Sequence, residues 1–302
     1  MRQKGMFQKE YFWRYLILLC GAAVIAVTAA IGIFLFYKGA GTFTVFGHSI
    51  SEFLFSRDFH PNDSMTGENG TVGAAIFIVG SLVSCGLAIL IATPLSLASA
   101  IFSVEILPKF GERFFRPAVD IFVGIPSIVY GWTGLTILVP FVRRTFALPY
   151  GNTVFTASLV LSVMIFPSIT SVAADALRAV PQELRAAAYG MGCTRWQMIR
   201  KVAVPAASGG IYTGIILGLA RAFGEALAVA MVIGKSRTML TGLFSATSSL
   251  TTVIASNMGN TFDGTEYNSA LWTMALLLFL ISLLFIFAIH LLAKKGEMHG
   301  KN

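Results

Sequence analysis

Charge is what this sequence has least of. Asp, Glu, Lys and Arg make up only 12% of its 302 residues, about half the roughly 25% of an ordinary soluble protein. A water-soluble fold of this length could not cover its apolar surface with so few charges. Disorder is excluded by the same composition, because disordered chains are rich in charge and poor in apolar side chains. Cysteine is scarce too. Cys20, Cys85 and Cys193 lie far apart and offer neither a disulfide framework nor metal spacing. His48, His60, His290 and His299 form no pair at ligand spacing, so no metal site is expected. The alternating ten-residue strands of an outer-membrane barrel are also missing.

What is present is apolar sequence in long runs. Hydrophobic residues reach 56%, phenylalanine alone occurs 25 times, and mean hydropathy is +0.76. Six stretches approach or exceed the roughly 20 residues needed to cross a bilayer as a helix. They are Tyr15–Tyr37, Val72–Phe102, Pro117–Val142, Thr153–Ala173, Ser208–Gly234 and Leu271–Lys294. The first is too long for the roughly 7–15-residue core of a cleaved signal and reads as an uncleaved span. The expectation is an all-α membrane protein of six transmembrane helices. Residues 1–14 and 294–302 are its inner tails, and 38–71 is a long outer loop between the first span and the body of the domain, 72–293.

Lys and Arg set orientation, being concentrated on the cytoplasmic side. With the N-terminus inside, the inner segments hold fifteen of the 22 basic residues and the outer ones six. Both termini are therefore expected in the cytoplasm. The same placement explains the net charge of +8 without nucleic acid.

Three places carry chemistry. The inner segment 175–205 is polar and helix-prone: Gln182–Tyr189 favours helix, Gly190 and Gly192 allow a turn, and a second short helix around Trp196 and Ile199 ends at Pro205. By residues alone it is either an ordinary amphipathic connector or a docking element. Arg221 and Glu225 fall mid-span, where charge is expensive and marks function by default. Their i,i+4 spacing places them on one helix face. They are either a packing ion pair or a pair exposed to an aqueous path. Arginine's planar fork suits the paired oxygens of an oxyanion, and Glu225 can take the arginine back if an anion leaves. Gly124-Ile-Pro-Ser-Ile-Val-Tyr-Gly131 either kinks or breaks the third span. A half-helix after a break would bring Ser127 and Tyr130 toward substrate. The stripe Gly210, Gly214, Gly218, Ala222, Ala226, Ala230 and Gly234 suits close helix packing. Gly234-Lys-Ser236 imitates the end of a nucleotide-binding P-loop, but Val229 stands where that motif needs a glycine.

Gly192, Arg195-Trp196, Ile199 and Val204-Pro205 resemble the cytoplasmic signature of ABC importer permeases. That signature usually opens Glu-Ala-Ala. Ala187 and Ala188 match, Ala186 stands in the glutamate's place, and Glu183 lies three residues earlier. Phe115–Gly131 and Gly218–Gly234 resemble the third and fifth spans of phosphate-specific permeases. Leu250–Gly259 resembles their C-type more than their A-type subunit. The resemblance covers roughly residues 70–293.

The resemblance implies the type I ABC importer permease fold in a bacterial inner membrane. It implies an ATPase-coupling segment using Glu183, Arg185, Ala187, Ala188, Gly192, Arg195, Trp196, Ile199 and Pro205. It also implies a phosphate pathway at Arg221 and Glu225. The expected partners are an A-type permease, a dimeric ATPase that binds the ATP and Mg, and a periplasmic phosphate-binding protein, with a link to phosphate-signalling regulators. The chain itself is expected to hold no cofactor and to catalyse nothing. A permease for another oxyanion, such as molybdate or sulfate, and a phosphate-sensing membrane scaffold are the alternatives.

Overall fold

The structure, a computed structural model, describes residues 2–63 and 70–299, with side chains described outside 2–12, 288, 289 and 292–299. Lys301, counted above among the inner basic residues, lies outside the described residues, as does the end of the expected inner tail.

The apolar runs fold as helices, since only internal hydrogen bonding satisfies the backbone in hydrocarbon. Four helices are long and apolar enough to span, and up to six if each bent pair counts as one. The first, α1 (Arg2–Gly39), stands at the edge. It packs along the last helix, α11 (Glu266–His299), with Phe34 edge-on to Trp272 at 5.3 Å. The centre is the pair α2 (Ala75–Ile101) and α5 (Val154–Arg178). Leu161, Met164, Ile165 and Ile169 of α5 are fully enclosed between neighbouring helices.

The third run breaks. It forms α3 (Arg116–Gly124) and α4 (Ser127–Thr133), and the latter runs on through a π-helical turn to Thr145. The two halves are bent by 93°. Pro126 has no N–H to donate and forces its predecessor out of the helical region. Ile125 is accordingly extended, at φ −68° and ψ 129°. The Tyr130 hydroxyl donates to the Phe122 carbonyl at 2.7 Å, re-pairing an acceptor that the break releases.

The fifth run also breaks, where one continuous helix over Ser208–Gly234 is expected. α8 (Ser208–Gly224) stops, Glu225 is extended at ψ 115°, and a half-helix α9 (Leu227–Val232) follows. The small-residue stripe is interrupted with it. Its first part packs within the chain, on α5: Gly210 meets Ala176, Gly214 meets Val172 and Gly218 meets Ile169. Ala226, Ala230 and Gly234 lie beyond the break, out of that register.

The outer loop 38–71 and the segment that precedes α11 are not independent. Phe53 and Phe59 from the loop share a core with Leu250 and Val253 from that segment, and with Val72, Phe77 and Leu271 at the ends of the spans. Glu266, 2% exposed at the start of α11, ties them together. Its carboxylate accepts from the N–H groups of Asn62 (2.6 Å) and Gly70 (2.9 Å), and His48 Nε2 lies 2.5 Å away.

α5 fixes the long axis of the molecule. Its 25 residues rise about 37 Å at 1.5 Å each, with Asn152 just before one end and the segment 182–206 just after the other.

Candidate functional site

Segment 182–206 contains α6 (Gln182–Gly190) and α7 (Arg195–Met198), joined by a glycine turn. Gly192 has φ +78°, a left-handed conformation that side-chain-bearing residues avoid. Thr194 opens α7 with a reciprocal cap, its hydroxyl accepting from Gln197 N–H while Gln197 Oε1 accepts from Thr194 N–H. Pro181 precedes α6 in an extended conformation and lies outside the helix. The second helix continues through a π-helical turn to Ala206, and the chain then bends by 68° into α8.

The residues expected to couple divide into two sets. Ala188 and Ile199 are buried and pack in one cluster with Leu177 and Val180, which holds the element to the end of α5. Arg185 also faces inward. Its guanidinium pairs with the buried Glu105 at 2.8 Å and donates to the carbonyls of Val180 (2.5 Å) and Leu177 (2.7 Å). Arg195 donates to the main-chain carbonyls of Glu105 and Ile106. Both arginines thus fasten the element to residues 105–106, at the far end of α2. Glu183, Ala187, Gly192, Trp196 and Pro205 are exposed. Trp196 is 62% exposed and Met191 77%, and with Leu184 and Tyr189 they make an apolar outer face. Glu105 escapes sequence reasoning because it lies 80 residues from its partner.

The second region is the level of the two breaks. Arg221 lies in the last turn of α8, half-buried, and its Nη1 donates to Ser168 Oγ of α5 at 2.9 Å. Among the described residues no carboxylate oxygen lies within 4.0 Å of it. The expected Arg221–Glu225 pairing on one helix face is therefore not what the structure has. Glu225 sits past the end of the helix. Its Oε1 accepts from the N–H of Ala228 at 3.0 Å, and its carbonyl accepts from Thr251 Oγ1 at 3.0 Å. The carboxylate satisfies a free amide at the start of α9, and Thr251, from α10 (Leu250–Asn257), fixes the turn.

The two broken spans cross directly. A Cβ on Gly131 of α4 would lie 2.7 Å from Ala228 Cα and 3.0 Å from Met231 Sδ of α9. Only glycine lets the half-helices approach so closely. Tyr130, next to Gly131, is within electrostatic reach of Arg221, although its hydroxyl is committed to Phe122. Ser127 is half-buried at the first position of α4. An apolar cleft of about 330 Å³ opens beside the break, lined by Phe122, Val129, Tyr130, Thr133 and Val163. The candidate site is thus a half-satisfied guanidinium beside the helix breaks, with segment 182–206 fastened at the far end of α2.

These features are those of a transport permease. Residues 92–296 match the binding-protein-dependent transport system inner membrane component family, and the chain belongs to that family. It is 45% identical over 285 residues to the probable ABC transporter permease protein YqgH of Bacillus subtilis, covering 94% of this chain and 91% of that protein. It is 37% identical over 278 residues to the phosphate transport system permease protein PstC of Pasteurella multocida, covering 86% and 83%. Its fold is that of type I ABC importer permeases. A chain of the bacterial alginate ABC transporter, solved in complex with an alginate-pentasaccharide-bound periplasmic protein, superposes with a TM-score of 0.63. That likeness covers 95% of this chain and 96% of the other at 14% identity.

Proposed function

We propose that this chain is a permease subunit of an ATP-driven importer of inorganic phosphate. It would form one wall of the pathway in a bacterial inner membrane, with both termini in the cytoplasm and a related A-type permease as the other wall. The observation that carries the reading is Arg221: a guanidinium at spanning depth with one neutral hydrogen-bond partner and no counter-ion among the described residues. Desolvated charge is normally paired, so such an arginine is poised for an anion. The planar fork receives two phosphate oxygens in parallel, and the phosphate-transport relatives supply the choice of anion.

In this reading phosphate displaces nothing ionic on arrival. Arg221 turns from Ser168 and donates to the phosphate oxygens. Release needs a competitor, because an isolated charge pair in a poorly solvated path is strong. Glu225 is the available group. It lies four residues on, just past the end of α8, and its carboxylate accepts from a single backbone N–H. When the break rearranges, Glu225 takes Arg221 back and phosphate leaves. Tyr130 and Ser127 border the same path.

The chain catalyses no reaction. A dimeric ATPase would bind the ATP and Mg and dock on the exposed face around Trp196, Met191 and Glu183. A periplasmic phosphate-binding protein would deliver substrate at the other end. Docking near phosphate-signalling regulators is compatible with this architecture. Closure of the ATPase pair would pull α6 and α7. Arg185 and Arg195 carry that displacement to residues 105–106 and so to α2, and the 68° bend carries it into α8 and Arg221.

The test is transport by the complete complex in proteoliposomes. ATP-dependent uptake of phosphate, in preference to sulfate and molybdate, is expected with the phosphate-loaded binding protein present. Uptake of another oxyanion instead, or none without loss of ATP hydrolysis, refutes the reading.

A further inference from the structure

Away from Arg221, three exposed cations gather around one pair of cavities. Arg143 and Arg144 end the helical stretch that continues α4, and Lys235 follows α9. All three are exposed, and none has an ion pair or hydrogen bond among the described residues. They line two adjoining cavities. One, of about 510 Å³, contains Arg143 and Arg144. The other, of about 480 Å³, contains Lys235 and Ser236. Tyr150 and Asn152 line both, and no carboxylate lines either. Each has room for an oxyanion with its bridging waters.

The backbone points to the same place. Among the described residues only two non-glycines have positive φ: Ala147 and Lys235, both at +51°. Ala147 lines the first cavity and Lys235 the second. Left-handed backbone at side-chain-bearing residues persists only where the surroundings impose it, and it concentrates at ligand clamps. The surroundings here are explicit. Phe146 lies against Phe244 at 4.6 Å, Gly234 pairs with Thr247, and Asn152 Nδ2 donates to the Met231 carbonyl at 3.2 Å.

The cavities lie at the end of α5 opposite the coupling element. Ala230 and Met231 of α9 wall the second one. α9 is six residues long, about 9 Å of helix, and its other end is held by Glu225. The cavities and the Arg221 break are therefore joined by one half-helix.

We propose that Arg143, Arg144 and Lys235 form a vestibule that binds a phosphate oxyanion, separate from Arg221 and ahead of it on the path. The assignment of the occupant as transported phosphate, and of this end as the outer mouth, rests on the proposed function. A phospholipid headgroup presents the same chemistry and is the other source. Three fixed cations beside low-dielectric walls focus an anion and raise its local concentration.

The test measures equilibrium binding of radiolabelled inorganic phosphate to the purified, delipidated complex without nucleotide. All samples carry Arg221→Gln, which silences the deeper site. The expected result is saturable binding that weakens about tenfold or more when R143Q, R144Q and K235Q are added, as focusing predicts. The charge-preserving set R143K, R144K and K235R should restore it. Repeating the assay in phosphatidylcholine and in phosphatidylglycerol vesicles separates the sources. Phosphate binding unaffected by phosphatidylglycerol assigns the site to the transported anion, and suppression of it only where the three cations are present assigns it to the headgroup. Equal phosphate binding with and without the three cations overturns the vestibule, as does a loss confined to binding-protein docking. The Arg221 wild-type complex assayed for uptake is the control. Absence of phosphate uptake there refutes the phosphate reading, whereas uptake with no cation-dependent binding refutes only the vestibule.

Discussion

Arg185 and Arg221 are both withdrawn from water, yet they are held in opposite ways. Arg185 has a buried carboxylate and two main-chain carbonyls around its guanidinium. Arg221 has one serine hydroxyl, and the glutamate four residues on is turned to a backbone amide. A fully satisfied buried charge fixes geometry, while a half-satisfied one remains available to a ligand. The first is a strut between segment 182–206 and the end of α2, and the second is the candidate site.

Substitutions separate the two roles. The largest expected effect on stability is at the strut. Arg185→Ala strands Glu105 in a buried position, and breaking such a pair costs about 3–5 kcal/mol. Thermal melting of the purified complex should show a large drop, and E105M/R185M together should recover much of it. Equal melting of the single and double variants would mean that the pair has no mutual role. The next effect is at the crossing of the half-helices. Gly131→Ala places a Cβ 2.7 Å from Ala228 Cα, and relieving such overpacking costs about 1–3 kcal/mol. Uptake should fall along with melting temperature. Unchanged melting would show that the half-helices separate freely.

Glu225 sharpens the contrast. Its cap to Ala228 is worth about 1 kcal/mol, and glutamine keeps an acceptor for that amide. Glu225→Gln should therefore melt almost normally while uptake fails, because a neutral amide cannot compete for Arg221. Full uptake by the glutamine variant would reduce Glu225 to a cap. The smallest effect on stability is expected at Trp196, whose side chain contributes little to the fold. Trp196→Ala should stay within about 0.5 kcal/mol of wild type and yet lose ATPase association in co-purification. Retained association would move the docking face elsewhere.

These differences also explain what the sequence could reveal. The apolar runs and the Gly-Pro punctuation at 124–126 are local signals, and the spans and one break follow from them. The break at Glu225 has no such signal. Gly-Glu-Ala lies inside an apolar run, and the turn there is held by the Glu225 carboxylate on Ala228 N–H and by Thr251, which donates to the Glu225 carbonyl from 26 residues away. With Glu225 extended, the i,i+4 geometry of Arg221 and Glu225 is lost. Arg185 is picked out in the sequence only by the segment it lies in, and its inward orientation depends on Glu105. Glu266 is likewise unremarkable until Asn62, Gly70 and His48 are brought around it.

The central claim concerns one guanidinium. Phosphate uptake by proteoliposomes carrying the complete complex, wild type against Arg221→Gln, tests it most directly, with melting temperature and ATPase association measured on the same samples. The account predicts that uptake disappears while the complex assembles and melts as the wild type does. Uptake at the wild-type rate by the glutamine variant would contradict it.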